Sequence, residues 1–213
     1  VLGTVFIIVP PYLITCHHVL TAGVAAKKST DTIETGIIEE IIVDFPVHPE
    51  VGEKLFSIEV LSSKPKLKDP KLLDLEDIAI CQLLACEAII EQAPLSIIYP
   101  EQLAAYYDHV VRIKGFHIEI GDELPNDGES KTVVANGKIQ LNFNGLDESI
   151  QGASGAPVWS ESKNAVIGML VSQRAEDAKF SSDRVYMIPM CKIVNACELL
   201  KNALDELIDI PTV

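Results

Sequence analysis

Two adjacent histidines, His17 and His18, are the first side chains in the sequence that could do chemistry. They follow an apolar run and a cysteine in "LITCHHVL". Because the imidazole ring titrates close to neutral pH and offers two distinct nitrogens, such a histidine could be a buried core residue, a metal ligand or a proton-accepting base. The residues alone leave these three interpretations open.

A serine enclosed by glycines is the second such feature. Ser154 stands between Gly152 and Gly155 in "SIQGASGAPVW", directly before an apolar segment. A serine hydroxyl is a weak nucleophile that needs a base within hydrogen-bond reach and backbone N–H groups aimed at the developing oxyanion. The glycines permit the φ values that such a loop requires. The same pattern is also typical of an ordinary turn.

An aspartate at the start of an apolar strand is the third feature. Asp77 opens the strand-like run in "LEDIAICQLL". A carboxylate at a strand edge can accept a hydrogen bond from the Nδ1–H group of a histidine and thereby fix the tautomer of the ring. A solvated aspartate at a strand start is the alternative interpretation.

The composition describes a folded, acidic protein. The chain has 213 residues, of which 48% are hydrophobic, and its 17 Lys and Arg against 31 Asp and Glu give a formal net charge of −14. This excess of negative charge would repel phosphate backbones and anionic lipid surfaces, so we expect neither nucleic acid nor a membrane as a partner. The apolar opening is broken by Pro10 and Pro11 and has no basic flank, which argues against a signal peptide or a membrane span.

The five cysteines are an odd number and lack short paired spacings. This usage favours reduced thiols in a cytoplasmic protein over a disulfide framework, and it matches no zinc pattern. We therefore expect a cytoplasmic location, no disulfide and no metal site.

The apolar segments predict an all-β protein in two parts. Most are short, rich in β-branched residues and separated by Gly, Pro, Asn or Asp, as in "TVFIIV", "AVIGMLVS" and "VYMIP". Two small barrels or sandwiches would follow, divided by a stretch with two prolines and expected helical turns. We expect an N-terminal β domain in residues 1–90, a linker in 91–108, a second β domain in 109–190, and a C-terminal helix and tail in 191–213.

The tail changes its hydrophobic period to that of a helix. Apolar residues three or four apart predict one amphipathic helix packed on the second half, with a buried face formed by Ile193, Cys197, Leu200, Leu204 and Leu207.

Taken together, the three stretches resemble the chymotrypsin-like (trypsin-fold) serine proteases, especially intracellular bacterial members. "LITCHHV" resembles the Leu-Thr-(Ala/Cys)-Ala-His block of that family, "EDIAI" its Asp-Ile-Ala-Leu block, and "GASGAPV" its Gly-x-Ser-Gly-x-Pro block. The flanking segments "GTVF", "VIGMLVS" and "VYMIP" extend the resemblance over most of residues 3–190. The order His, Asp, Ser is also that of chymotrypsin-like enzymes.

The resemblance implies a fold and a mechanism. The fold would be two six-stranded antiparallel β-barrels with a C-terminal α-helix, and the activity that of a serine endopeptidase acting on a protein or peptide without metal or cofactor. Within the motifs, the family's base corresponds to His18, the residue that orients it to Asp77 and the nucleophile to Ser154. The N–H groups of Gly152 and Ser154 would form the oxyanion hole. His17 would be a packing neighbour of the base.

The resemblance also assigns four residues to the pocket for the residue before the cut: Glu148, Ser172, Arg174 and Arg184. Glu148 at the base of this pocket, taken alone, favours Arg or Lys. Because an unpaired buried carboxylate is costly, an arginine lying against Glu148 is the cheaper arrangement, and it predicts a small or uncharged residue, or an acidic one if arginine charge is left over. If both arginines turn to solvent, Glu148 selects basic residues instead.

One departure from the family bears on regulation. Secreted members are activated when a new N-terminus forms an ion pair with an Asp just before the nucleophile, and that position is Ala153. Control would then come from a regulatory partner or a fused domain, or be absent, as in a module of a bacterial regulatory or defence system. The alternative function is a catalytically silent protease-like domain used for protein binding.

Overall fold

The computed structural model describes the chain in a set of segments, and for part of them only the backbone. These segments are residues 3–25, 36–45, 52–64, 77–84, 106, 110–113, 126–133, 137–143, 152–173 and 184–208.

The first half of the chain forms an antiparallel sheet of five strands in the order β1-β2-β5-β4-β3. A helix, α1 (His17–Ala25), follows the second strand directly. The strands are β1 (Phe6–Val9), β2 (Tyr12–Thr15), β3 (Gly36–Phe45), β4 (Gly52–Lys64) and β5 (Ile78–Leu84).

The second half forms a closed barrel of six antiparallel strands in the order β10-β11-β8-β7-β6-β9. Its strands are β6 (Val110–Ile113), β7 (Asn126–Val133), β8 (Ile139–Phe143), β9 (Pro157–Ser160), β10 (Ala165–Gln173) and β11 (Arg184–Pro189).

Alternation along β5 shows why its sequence is apolar except at Gln82. Ile78 and Ile80 point into a large core that also contains residues of the second barrel, while Ala79, Cys81 and Leu83 belong to a second core with α1 and β4. Since successive side chains of a strand point to opposite faces, a strand buried on both faces has no polar period. The large core joins the two halves of the molecule.

The chain ends in two helices that pack on this core. They are α2 (Met190–Asn195) and α3 (Glu198–Ile208), where the sequence pattern predicted one continuous helix. The amides of Ala196 and Cys197 bond three residues back, to Ile193 and Val194, which tightens the chain and separates the helices. The predicted apolar face is nevertheless buried at Ile193, Cys197, Leu200 and Leu204.

The all-β prediction of two antiparallel units with a C-terminal helical tail is confirmed. The second unit is the closed six-stranded barrel that was expected, whereas the described part of the first unit contains five strands and a helix, α1, that was not expected. The predicted domain boundaries stay a prediction. Among the described helices, none is both long and apolar enough to cross a membrane.

Candidate active site

The end of β2 and the start of β5 bring His18 and Asp77 together. The two strands are neighbours, with Thr15 opposite Ala79. The residues just beyond this pair, at the start of α1 and just before β5, therefore meet at one end of the sheet. The Nδ1 atom of His18 lies 2.7 Å from Oδ2 of Asp77, and the backbone N–H of His18 donates to Oδ1 at 3.0 Å.

This pair has the geometry of a base and the group that orients it. Asp77 is buried, with 2% of its surface exposed, whereas the side chain of His18 is 47% exposed. An ionised carboxylate only accepts hydrogen bonds, so Nδ1 of His18 carries the proton and donates it to Asp77. The Nε2 atom is then the proton acceptor of the neutral ring.

The charge state of Asp77 follows from its surroundings. Burial by itself raises the pKa of this carboxyl, but the hydrogen bonds and charge of His18, and then the charge of Lys138, outweigh burial and lower the pKa below its ordinary value. Asp77 is therefore ionised at neutral pH, as the orientation of His18 requires.

His17 does not take part in this bond. It begins α1 and is partly buried. Burial lowers the pKa of its ring, the charge of Asp77 raises this pKa, and the charge of His18 lowers it further. Of the two adjacent histidines, the structure gives His18 the carboxylate contact through Nδ1. The interpretation of His17 as a packing neighbour is consistent with this placement.

Ser154 lies in a turn between two glycines of positive φ. Gly152 has φ 93° and Gly155 has φ 92°, values that favour glycine, and Ser154 is buried with 5% exposure. The amide of Gly155 donates to the carbonyl of Leu170 at 2.9 Å, and that of Ala156 to Ala153 at 2.9 Å. These two amides are engaged inside the protein, and the oxyanion hole formed by the N–H groups of Gly152 and Ser154 stays a prediction.

The first residues of the described chain connect this turn to the start of α1. Thr4 donates through its amide to the carbonyl of Ser154 at 2.9 Å, and Thr15 donates through Oγ1 to the carbonyl of Thr4 at 2.7 Å. A Cβ atom on Gly3 would overlap the side chain of Val19 and lie 3.1 Å from the carbonyl oxygen of Ser154. The serine turn and the histidine end of α1 thus pack around the same short segment.

A cysteine lies beside the His18–Asp77 pair. Sγ of Cys16 and ligand atoms of His18 and Asp77 all fall within 4.8 Å of one another, a spacing that could hold a metal ion. However, burial raises the pKa of the Cys16 thiol well above its ordinary value, Asp77 raises it further, and Sγ lies 3.5 Å from the carbonyl of Leu170 as its donor. In this arrangement the thiol donates to Leu170 and Nδ1 of His18 donates to Asp77, so both groups are engaged in hydrogen bonds within the protein.

Lys138 brings a positive charge to the same place from the second barrel. It directly precedes β8 and has 1% of its surface exposed. Its charge acts on both Asp77 and Cys16 and lowers the pKa of each. No role was predicted for Lys138 from the sequence, although a lysine in the apolar run "VVANGKIQL" is a departure that could have signalled one.

The predicted substrate pocket is described only in part. Ser172 lies on β10 opposite Val185, and Arg184 lies on β11 opposite Gln173, so two of the four residues are on neighbouring strands. Their side chains, together with Glu148 and Arg174 as whole residues, lie outside the part of the chain that the structure describes.

Comparison with known proteins relates the fold to bacterial proteases. No family model matches the sequence, and no curated protein does. Among solved structures, the HtrA-type protease AlgW with a decapeptide superposes with a TM-score of 0.57 at 14% identity, covering 96% of this chain and 52% of that one. The active form of the Rv3671c protease from M. tuberculosis gives 0.54 at 15% identity, covering 91% and 71%. A serine endoprotease from Yersinia pestis gives 0.55 at 18%, covering 93% and 57%.

These similarities identify the fold as that of chymotrypsin-like serine proteases, which confirms the resemblance drawn from the motifs at the level of architecture. The chain spans about half the length of the AlgW chain that it matches. At such low identity the comparison carries the fold, and the chemistry has to be argued from the site itself.

Proposed function

We propose that this chain is a serine endopeptidase that cleaves peptide bonds through Ser154, His18 and Asp77. The observation that carries the proposal is the 2.7 Å contact between Nδ1 of His18 and the buried carboxylate of Asp77. It directs the acceptor nitrogen of a half-exposed ring away from Asp77, on a fold shared with serine proteases.

The mechanism proceeds through a covalent intermediate. Oγ of Ser154 attacks the peptide carbonyl while Nε2 of His18 takes the hydroxyl proton, and His18 then protonates the leaving amine. Water, deprotonated by His18, attacks the resulting ester and releases Ser154. Asp77 stays ionised throughout and stabilises the imidazolium that forms twice in the cycle.

The oxyanion that develops in both halves of the reaction needs donors within the serine turn. We assign this role to the N–H groups of Gly152 and Ser154, since those of Gly155 and Ala156 bond to protein carbonyls. The positive φ of Gly152 supports this assignment, because it allows the backbone to turn its amides toward one point.

The proposed substrate is a protein or peptide, in keeping with the decapeptide bound to AlgW. For the residue before the cut we propose a small or uncharged side chain, in a pocket formed by Glu148, Ser172, Arg174 and Arg184. A positional-scanning peptide library tests this specificity, and dominant cleavage after Arg or Lys would contradict it.

We further propose that the domain works under the control of a regulatory partner or a fused domain, in a bacterial cytoplasm. Ala153 removes the acidic group on which N-terminal activation depends, and the four described cysteines are free and buried. A melting temperature that is unchanged in reductant would support the cytoplasmic assignment, and a large drop would contradict it.

Peptide hydrolysis by Ser154→Ala tests the activity. We expect turnover to fall by about 10⁴-fold or more, because the nucleophile is lost, while Ser162→Ala, a change at an exposed serine in the turn after β9, leaves turnover unchanged. Undiminished turnover in Ser154→Ala would contradict the mechanism. A wild-type chain that binds peptides without cleaving them would favour the catalytically silent binding domain.

A further inference from the structure

Thr4 makes three hydrogen bonds that tie the serine turn to the first sheet. Its Oγ1 donates to the carbonyl of Gly152 at 2.9 Å, and its amide donates to the carbonyl of Ser154 at 2.9 Å. Its own carbonyl accepts the bond from Oγ1 of Thr15 at 2.7 Å. Both threonines are buried, with 7% and 6% exposure, so water does not compete for these bonds.

These bonds hold the two carbonyls on either side of Ala153. The bond to the carbonyl of Gly152 fixes the plane of the peptide between Gly152 and Ala153. The bond to the carbonyl of Ser154 fixes the plane of the peptide between Ser154 and Gly155. Because Gly152 has no Cβ to restrict its dihedral angles, a bond from outside the turn is needed to select one conformation. Thr4 supplies that bond from 148 residues away in the sequence.

Sterics on the other side of the turn make the arrangement specific. A Cβ atom at Gly155 would overlap the carbonyl oxygen of Thr4 and lie 2.7 Å from Oγ1 of Thr15. The turn thus sits so close to Thr4 and Thr15 that a side chain at Gly155 would push it away. Gly155 is therefore in close steric contact with Thr4 and Thr15, and this contact joins the two halves of the molecule.

We propose that Thr4 is the positioning residue of the serine turn, whose hydroxyl and amide hold the carbonyls of Gly152 and Ser154 and so restrain the peptide between them, which carries the oxyanion-donating N–H of Ser154. The inference rests on the proposed protease function. Because Ala153 has no carboxylate, it cannot form an ion pair with an N-terminus. The hydrogen bonds of Thr4 keep the turn ordered instead. All groups involved are uncharged, so these hydrogen bonds form at any pH at which the protein is folded.

Thr4→Val tests the role of the hydroxyl, since valine keeps the shape and the amide but cannot donate to Gly152. An oxyanion hole acts in the transition state, so its loosening lowers kcat rather than substrate binding. In Thr4→Val we expect kcat for peptide hydrolysis to fall about tenfold, with KM within about twofold of wild type. Thr4→Ser keeps the hydroxyl donor and should have the kcat of wild type.

A matched control separates positioning from stability. Oγ of Ser62 donates to the carbonyl of Ala196 at 3.0 Å, a hydroxyl-to-carbonyl bond between β4 and the end of α2 that does not touch the site. Ser62→Ala should lower thermal stability by an amount similar to that of Thr4→Val and leave kcat unchanged. An equal loss of kcat in both variants would overturn the positioning role.

Two further measurements keep the test decisive. If Thr4→Val does not fold, Thr15→Val removes the bond that holds the Thr4 carbonyl, and it should lower kcat in the same direction by a smaller factor. Amide hydrogen exchange of residues 152–156 should be faster in Thr4→Val than in wild type or Ser62→Ala. Faster exchange in Thr4→Val, together with a wild-type protein that has no peptidase activity, would support the positioning role of Thr4 and contradict the protease function. An active wild-type protein whose kcat and exchange are unchanged in the threonine variants would support the protease function and contradict the positioning role of Thr4.

Discussion

The two halves of the molecule hold their shares of the site by different forces. In the first half, an ionised carboxylate, Asp77, orients the ring of His18, and the charge of Lys138 acts on the same carboxylate. In the second half, the turn around Ser154 consists of Gly and Ala residues and is fixed by backbone carbonyls, amides and the hydroxyl of Thr4. The first half should therefore be sensitive to charge and pH, and the second to backbone geometry.

The largest expected effect distinguishes the two adjacent histidines. His18→Ala should lower peptide hydrolysis by about 10⁴-fold or more, nearly as much as loss of the serine, because triad members act as a unit. His17→Ala should cost less than about tenfold, since it is His18 that contacts the carboxylate of Asp77 through Nδ1. Steady-state kinetics of the two variants measure this. The reverse ranking would mean that the base is His17.

The backbone of the second half should break at Gly155. Gly155→Ala combines a φ of 92° with an overlap between the new Cβ and the carbonyl of Thr4. We expect a loss of about 2–4 kcal/mol in the free energy of unfolding, measured by urea denaturation. Gly137→Ala, at a φ of 71° in the turn before β8, is the control and should cost about 1 kcal/mol. Equal losses would show that the contact with Thr4 is not tight.

Acid stability should report on the charges around Asp77. The folded pKa of Asp77 lies below its ordinary value, so its ionised form stabilises the fold above the unfolded pKa of about 4, and this contribution is lost as the pH falls through the lower folded value. Lys138→Met removes a charge that lowers this pKa.

We therefore expect the acid-unfolding midpoint of Lys138→Met to lie at higher pH than that of wild type, measured by circular dichroism. At neutral pH two effects of this change oppose each other, since it removes the cost of burying an ammonium and also a charge that stabilises ionised Asp77. Lys163→Met, at an exposed lysine in the turn between β9 and β10, should leave the midpoint unchanged. Equal midpoints in all three proteins would remove Lys138 from the electrostatics of Asp77.

The sequence predicted those features of the molecule that depend on neighbouring residues. Short apolar runs rich in β-branched residues predicted the strands. The turn residues in "GASGAPV" predicted the serine loop, and both glycines of this loop have positive φ. The resemblance of "TCHHV" to the histidine block of the protease family pointed to His18, which is the histidine that contacts Asp77.

The rest depends on contacts between distant residues and has no local signal. The bond from Thr4 to Gly152 spans 148 residues, so "GTVF" gave no hint that its threonine serves the serine turn. The helix α1 was missed because its sequence, "HHVLTAGVA", contains β-branched residues that favour strands, and tertiary packing of Leu20 overrides this preference. The pocket residues Glu148 and Arg174 lie outside the described chain and stay predictions.

The site of covalent labelling by a serine-directed fluorophosphonate tests whether Ser154, His18 and Asp77 form a working triad. Such a probe reacts with a serine only where a base and an oxyanion hole are assembled around it. Mass spectrometry of the labelled wild-type protein should find a single adduct on Ser154, and labelling should be lost in His18→Ala while it is retained in His17→Ala. Absence of an adduct on the folded protein, or an adduct on another residue, would contradict the assignment of Ser154, His18 and Asp77 as a working triad.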